Sequence, residues 1–363
     1  MLRNFKTYDS WHSRLAQLIP DTCETRLTNL TLLIVGLYHA GTIHFSAIVR
    51  KWPIPAMETS LTRRLSRFLA NPGVKVRAWY EPVARQLLAP FAGREVRLIL
   101  DGSRVGFGHQ LLMVAIAYRR RALPLAWCWV RGTRGNSTAE KQLALLAYVR
   151  GRMPENTRVL LVGDAEFGSV AVLRQLEAWS WQYVLRLKGT VLMQPGGAGP
   201  WRKLVRLVER RGVRYWWPGS RLTRQWAHPA HLLGYWAPGE DEPWLLATSL
   251  PDTRPALQAY RRRMWVEEMF GDLKGHGFDL EATHLRHFLR LSRLTLAVCY
   301  LYVWLVTFGS RIIKAGQRHR VDRRDRRDLS LFRIGWDTVE RRLALDQMIS
   351  VAFHPVLVLV SGG

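Results

Sequence analysis

An α/β fold is the class this sequence predicts, and three observations predict it. Between residues 95 and 190, short apolar runs of strand character alternate with amphipathic helical segments. Helical, basic sequence precedes them. An aromatic-rich stretch of short alternating runs, bounded by Gly and Pro, follows.

Residues 1–92 read as a helical region. Arg26 to Gly41 is strongly apolar and suits a buried helix. Phe45 to Trp52 is a short helix ended by Pro53 and Pro55, since proline cannot continue the hydrogen-bond ladder. In Thr59 to Ala70, Leu61, Leu65, Phe68 and Leu69 form an apolar stripe, while Arg63, Arg64 and Arg67 project elsewhere. Helix, proline-rich turn and basic helix are compatible with a helix-turn-helix contacting DNA through those arginines. An ordinary amphipathic helix with a solvated basic face has the same pattern.

From Glu95 the period changes. Val96–Leu100, Leu111–Tyr118 and Leu123–Val130 read as three strands. Ser137-Thr-Ala-Glu140 is a capping box opening a helix through about Arg150. Val159–Val162, a helix from Ser169 to about Trp179, and Tyr183–Leu187 complete the series. Three strands, helix, strand, helix, strand is the order of the ribonuclease H-like fold, in which the first and fourth strands are neighbours. Asp101 directly follows the first run, and Asp164 comes one glycine after the fourth. An isolated Asp-Gly after a strand is usually a turn. Two aspartates at neighbouring strand ends can instead present two carboxylates to one site. Ser103 and Glu166 lie close by in supporting positions.

Roughly a hundred residues separate Asp164 from Glu267, far more than a crossover needs. A β-rich insertion at 190–250 is therefore expected, carrying Trp201, Trp216, Trp217, Trp226, Trp236 and Trp244. Basic residues interleaved with large rings suit distorted or single-stranded DNA. A small β domain with a tryptophan core is the competing reading. The catalytic core would occupy 93–189 and 251–310, and a basic linker with a helical tail would occupy 311–363.

Composition narrows the partner. Lys plus Arg number 54 against 28 Asp plus Glu, a net charge of +26. That excess points to a polyanion, with nucleic acid first. The longest apolar run, Leu294 to Phe308, falls short of the ~20 residues that span a bilayer and reads as a buried helix, so no membrane is expected. No signal peptide opens the chain, and a cytoplasmic location follows. Cys23, Cys128 and Cys299 match neither a disulfide framework nor a zinc pattern.

Tyr260, Arg263, Glu267 and Lys274 would fall on one face of a continuous helix, a column about 20 Å long. On spacing alone, a helix laced with i, i+4 charge pairs fits equally well. The Tyr-x2-Arg-x3-Glu-x6-Lys spacing resembles the signature of the DDE transposases of bacterial insertion sequences, specifically the insertion-sequence-four-like family. The resemblance covers about residues 95–310 and is strongest in this segment. It implies that Glu267, not Glu268, completes a catalytic triad with Asp101 and Asp164. Those three acids would hold two Mg²⁺ ions, with Mn²⁺ able to substitute. Tyr260, Arg263 and Lys274 would grip DNA phosphates. In relatives that cleave through a DNA hairpin, a tryptophan of the inserted β domain stacks on a flipped base, and Trp236 is the candidate here. The implied partners are double-stranded DNA, as transposon ends and target, and a second copy in a homodimer on DNA. The alternatives are a non-catalytic DNA-binding regulator descended from a transposase and a structure-specific nuclease of the same fold.

Overall fold

The computed structural model describes residues 2–106, 108–132 and 137–356. The chain opens with five helices: α1 (Leu2–Leu18), α2 (Glu24–Ala40), α3 (Phe45–Val49), α4 (Glu58–Ala70) and α5 (Val76–Leu88). There follow β1 (Glu95–Val105), β2 (His109–Tyr118), β3 (Arg121–Arg131), α6 (Ala139–Arg150), β4 (Arg158–Gly163), α7 (Val170–Ala178) and β5 (Gln182–Arg186), in the order the sequence predicts. Next come β6 (Leu192–Gln194), β7 (Arg202–Lys203), β8 (Arg214–Leu222), β9 (His228–Tyr235) and β10 (Trp244–Thr248). The chain then continues through α8 (Thr253–Arg261), α9 (Met264–Leu273), α10 (Phe288–Lys314) and α11 (Leu331–Ala344). The fold is mixed α/β, with one large mixed sheet and a helical N-terminal region.

Two compact units divide these elements. One comprises residues 91–103 and 110–268, the other residues 1–90, 104–109 and 269–363. These divisions differ from the composition-based boundaries. Residues 190–250 belong to the same unit as the strands before them, and residues 269–310 group with the N-terminal helices.

In the first unit the sheet order is β3-β2-β1-β4-β5-β10-β9-β8-β6-β7. β1, β4 and β5 pair in parallel, and β10 joins β5 antiparallel to begin the second half. Parallel strands need both faces covered, which explains why β4 is a nearly unbroken apolar run. The β2–β3 turn places Arg119 and Arg120 at φ 44° and 64°, the primed turn that matches strand twist, here made without glycine. The six tryptophans of 190–250 do not form the core of this half. None of them is buried, and Met193, Leu204, Leu222, Leu232 and Leu233 fill it instead. The edge of a tryptophan ring packs well beside aliphatic side chains while its other face stays wet, so aromatic content alone did not separate these cases.

In the helical unit α10 is the axis, packed against α2, α4, α5 and α11. It is 27 residues long and apolar enough to cross a bilayer by length and composition, but 89% of its most apolar stretch is buried within the protein. Every residue from Leu294 to Val306 is buried, as a core helix requires. The basic stretch from Arg311 starts as the last turn of α10, and Arg323 to Asp328 form its longest exposed run. Helix α4 buries the four apolar residues expected of it, with Arg63 and Arg67 exposed. Arg64 is partly buried, and its Nε donates to Asn29 Oδ1 at 2.7 Å.

Candidate active site

Strand register places the first two acids. The β1–β4 ladder ends at Leu100 opposite Gly163. Adjacent strands lie about 4.8 Å apart, so Asp101 and Asp164, the next residue on each, begin side by side. Asp101 is not the end of its strand, because β1 continues to Val105. It is the first residue of β1 beyond the β4 ladder. Its carboxylate is 3% exposed and accepts the Gly102 N–H at 2.7 Å. A Cβ at Gly102 would lie 2.2 Å from Gln110 Nε2, so any side chain there would displace the Gln110 amide.

Gln110 matters because it donates to Glu166 at 2.9 Å. The Ser137 N–H and hydroxyl donate to the other Glu166 oxygen. Glu166 is thus tied into the scaffold, leaving Asp164 as the acid of this loop nearest the strand end. The helix that Ser137 was expected to cap is capped instead by Thr138, whose side chain accepts the Lys141 N–H.

The third acid arrives differently from the expected single helix, which is corrected here. Helix α8 ends at Arg261 and α9 begins at Met264. Between them the Arg262 N–H bonds Ala259 O at 3.1 Å and the Arg263 N–H bonds Tyr260 O at 2.8 Å. These i→i−3 bonds make a tight turn, and the turn removes the 100° stepping that a straight column needs. Tyr260 lies in the last turn of α8, Arg263 in the break, Glu267 in the first turn of α9, and Lys274 just beyond its end. Lys274 is ion-paired with Glu281.

The break turns Arg263 inward. It is 6% exposed, donating from Nη1 to Asp101 Oδ2 and from Nη2 to Glu267 Oε1, each at 2.7 Å. Burial opposes its charge, but the carboxylates of Asp101, Asp164 and Glu267 outweigh burial and hold its pKa above the usual guanidinium value. One guanidinium therefore feels all three acids. Glu268, by contrast, points away and pairs with Arg121 at 2.9 Å. Arg186, at the end of β5, lies 3.8 Å from Asp164 and 3.5 Å from Glu242. The sequence reading passed over Arg186. Its signal was a cation closing the third parallel strand, beside the one that runs directly into Asp164.

Tyr260 is buried against Trp244, with ring centroids 5.1 Å apart, and among the described residues its hydroxyl has no partner. Burial pushes the phenol up to about 12; Arg263 pulls it down and Asp164 pushes it further up. An orphaned hydroxyl in a ring of charges is costly unless a ligand completes it.

Two tryptophans differ in exposure. Trp236 is half-buried, its Nε1 donates to Glu240 O at 2.9 Å, and Arg211 covers its ring at 5.0 Å. Trp226 is 49% exposed, with Arg174 lying 4.9 Å from its ring. It overhangs a cavity of about 440 Å³ reached by Glu166, Ser169, Lys188 and Thr223. Thr223 and Ala227, on either side of it, sit at φ 57° and 42°, a left-handed conformation uncommon for any residue but Gly and rarest for a β-branched one such as Thr223.

Asp, Asp and Glu supply hard oxygen donors suited to Mg²⁺ or Mn²⁺. Among the described residues no three His, Cys, Asp or Glu side chains already converge as a metal cage. The arrangement shown is one in which Arg263 and Arg186 hold the acids, and the donor set fits the ions.

Comparison with known families decides what this arrangement belongs to. The family described as the transposase DDE domain matches residues 97–304, more than half of the chain. The chain belongs to the DDE transposase family. Its matched span contains Asp101, Asp164 and Glu267. No curated protein matches the sequence. Among solved structures, the chain is similar to the piggyBac transposase in its synaptic complex with hairpin DNA, at 10% identity and a TM-score of 0.44. That likeness covers 94% of this chain and 77% of the other.

Proposed function

We propose that this DDE transposase binds the ends of an insertion sequence of the insertion-sequence-four-like type, cleaves the DNA there and joins the 3′ ends to target DNA. One observation carries the reading: two acids in step on adjacent parallel strands, with Glu267 linked to the first of them through Arg263. Asp101, Asp164 and Glu267 would hold the ions. When bound, the metal supplies Lewis-acid activation of the attacking oxygen and stabilisation of the leaving one.

The chain's own residues do the rest. The buried floor around Asp101 fixes the first carboxylate, so little reorganisation is needed when substrate arrives. Tyr260 donates its orphaned O–H to a phosphate oxygen. Arg263 stays between the acids and the backbone of the bound strand, as a cation that both can use. Water attacks the first phosphodiester and releases a 3′-hydroxyl, which attacks the opposite strand or the target. Arg63 and Arg67 contact the DNA ends, with Arg64 set back on Asn29, and a homodimer holds two ends together. A base-stacking role fits Trp226 better than Trp236, because Trp226 is the more exposed ring and overhangs a cavity, while each ring carries an arginine.

The test is a supercoiled donor carrying the flanking inverted ends, incubated with Mg²⁺ or Mn²⁺, comparing wild type with Glu267→Gln. Cuts at the end boundaries, lost in the variant and lost with chelator, are expected. Denaturing gels show whether a hairpin forms. Binding of the ends with no cutting by wild type would instead establish the regulator reading. Cutting of branched DNA while the ends are ignored would establish a structure-specific nuclease.

A further inference from the structure

A separate cavity of about 380 Å³ lies against α8, lined by Arg214, Arg254, Leu257, Gln258 and Arg261. Four of these five come from one helix at i, i+3, i+4 and i+7, a single stripe. Leu257 is buried, while the three arginines and Gln258 are exposed. Arg214 enters from the first residue of β8, opposite Tyr235 on β9.

Its charge is uncompensated. Some exposed arginines elsewhere find carboxylates, as Arg85 does with Glu81, Arg323 with Asp325 and Arg333 with Asp337, while others, such as Arg63 and Arg67, stand singly on a helix face rather than around a hollow. Arg214, Arg254 and Arg261 form no ion pair among the described residues. The nearest acid in sequence, Asp252, instead accepts the backbone N–H of Arg254 as the α8 cap. Three like charges around one hollow repel one another, and an anion is what relieves that repulsion.

The hollow also backs onto the acid cluster. Tyr235, the cross-strand partner of Arg214, packs on Trp244 with centroids 6.0 Å apart, and Trp244 packs on Tyr260. Helix α8 therefore shows Tyr260 to the acids on one side and the arginine stripe on another, one helix width (about 10 Å) away.

We propose that this cavity is a second phosphodiester site, which grips the backbone of duplex DNA beside the cleaved position. The proposal deepens the transposase reading and rests on it for the identity of the polyanion. Arg254 and Arg261 are seven residues apart, about 10 Å along the axis. A duplex carries one charge per about 1.7 Å of its length, so such a stripe faces several phosphates at once. Planar guanidinium forks suit phosphate oxygens, and Gln258 adds an amide donor between them. A small phosphate compound offers the same oxyanion chemistry. The length of the stripe favours the polymer.

The experiment measures the affinity of full-length protein for an end-bearing duplex across a salt series. Wild type is compared with Arg214→Gln/Arg254→Gln/Arg261→Gln and with a control that removes equal charge elsewhere, Arg320→Gln/Arg324→Gln/Arg327→Gln. Each phosphate contact contributes about 0.9 to the log–log salt slope. A slope reduced by about 2 in the first variant, and by less than half that in the control, is the expected result. Equal slopes in all three proteins, or equal losses in both variants, would overturn the proposal. A parallel arm adds pyrophosphate and follows thermal stability. A pyrophosphate-dependent shift lost in the first variant, with its DNA slope unchanged, would make this a small-phosphate site and sink the DNA assignment. Failure of wild type to cut DNA in the donor assay, with the slope effect intact, would count against the transposase reading and leave the site standing.

Discussion

Arg263 and Arg261 are two residues apart and have opposite fates. Arg263 is buried and spends both arms on Asp101 and Glu267. Arg261 ends α8 in the open, facing a hollow with two other arginines and no acid. Residues two apart face nearly opposite sides of a helical turn, and here Arg261 lies on the exposed side of α8 while Arg263, in the two-residue break, lies on the buried side with Tyr260. The lesson is that a basic residue in a DNA-processing protein is not thereby a DNA contact. A guanidinium already satisfied by buried carboxylates acts first on the protein, and an unpaired one waits for a ligand.

The sharpest way to break this comparison is Arg263→Ala. Removing one partner of a buried charge pair leaves Asp101 uncompensated and typically costs about 3–5 kcal/mol. Urea denaturation should show that loss, whereas Arg261→Ala should shift the midpoint by no more than about 0.5 kcal/mol. Similar losses from both would abolish the distinction.

Tyr260→Phe gives a smaller effect whose sign is the informative part. The native hydroxyl is buried without a partner, so its removal should leave stability unchanged or raise it by about 1 kcal/mol, while weakening DNA binding. Because the fold raises this phenol from 10 to about 12, its neutral form is favoured in the native state. Its contribution is present below pH 10 and is lost as pH rises through 12. Tyr260→Phe should therefore lose less stability than wild type between pH 10 and pH 12, followed by urea midpoints at each pH. A variant as alkali-sensitive as wild type would contradict this.

The smallest effect separates the two neighbouring glutamates. Glu268 is half-exposed and pairs with Arg121, so Glu268→Gln should cost under about 1 kcal/mol and keep metal-dependent cleavage. Loss of cleavage in Glu268→Gln with retention in Glu267→Gln would reverse their assignment.

Much of this was legible beforehand, for identifiable reasons. Asp101 and Asp164 could be read because each follows the close of an apolar run, and strand ends are marked by a change of period. The strand and helix order from Glu95 to Arg186 was legible on the same basis. The break at Arg262-Arg263 was not, because neither Gly nor Pro marks it. Arg263 in the break bonds Asp101, 162 residues away in the sequence, and local pattern carries no trace of such a tertiary contact. Composition does not show that Trp226 is the more exposed of the two rings or that it overhangs a cavity. Arg186 is the last residue of β5, next to the strand that leads into Asp164, and its position carries no acidic signal.

The interleaving of the two units has a consequence for how the chain is made. Helix α2 buries Leu30, Leu32, Leu33, Ile34 and Val35, and α10, one of the helices it packs against, begins at Phe288. At ribosomal rates of 5–20 residues per second, the stretch between the two parts of the helical unit takes on the order of 10 to 40 s to emerge. The sheet unit can be complete while the first ninety residues, packed only on one another, still wait for the α10 surface that covers them. Nascent-chain quality control therefore meets this protein at its N-terminal helices, and a translation pause after residue 268 would prolong their exposure more than any pause before residue 24.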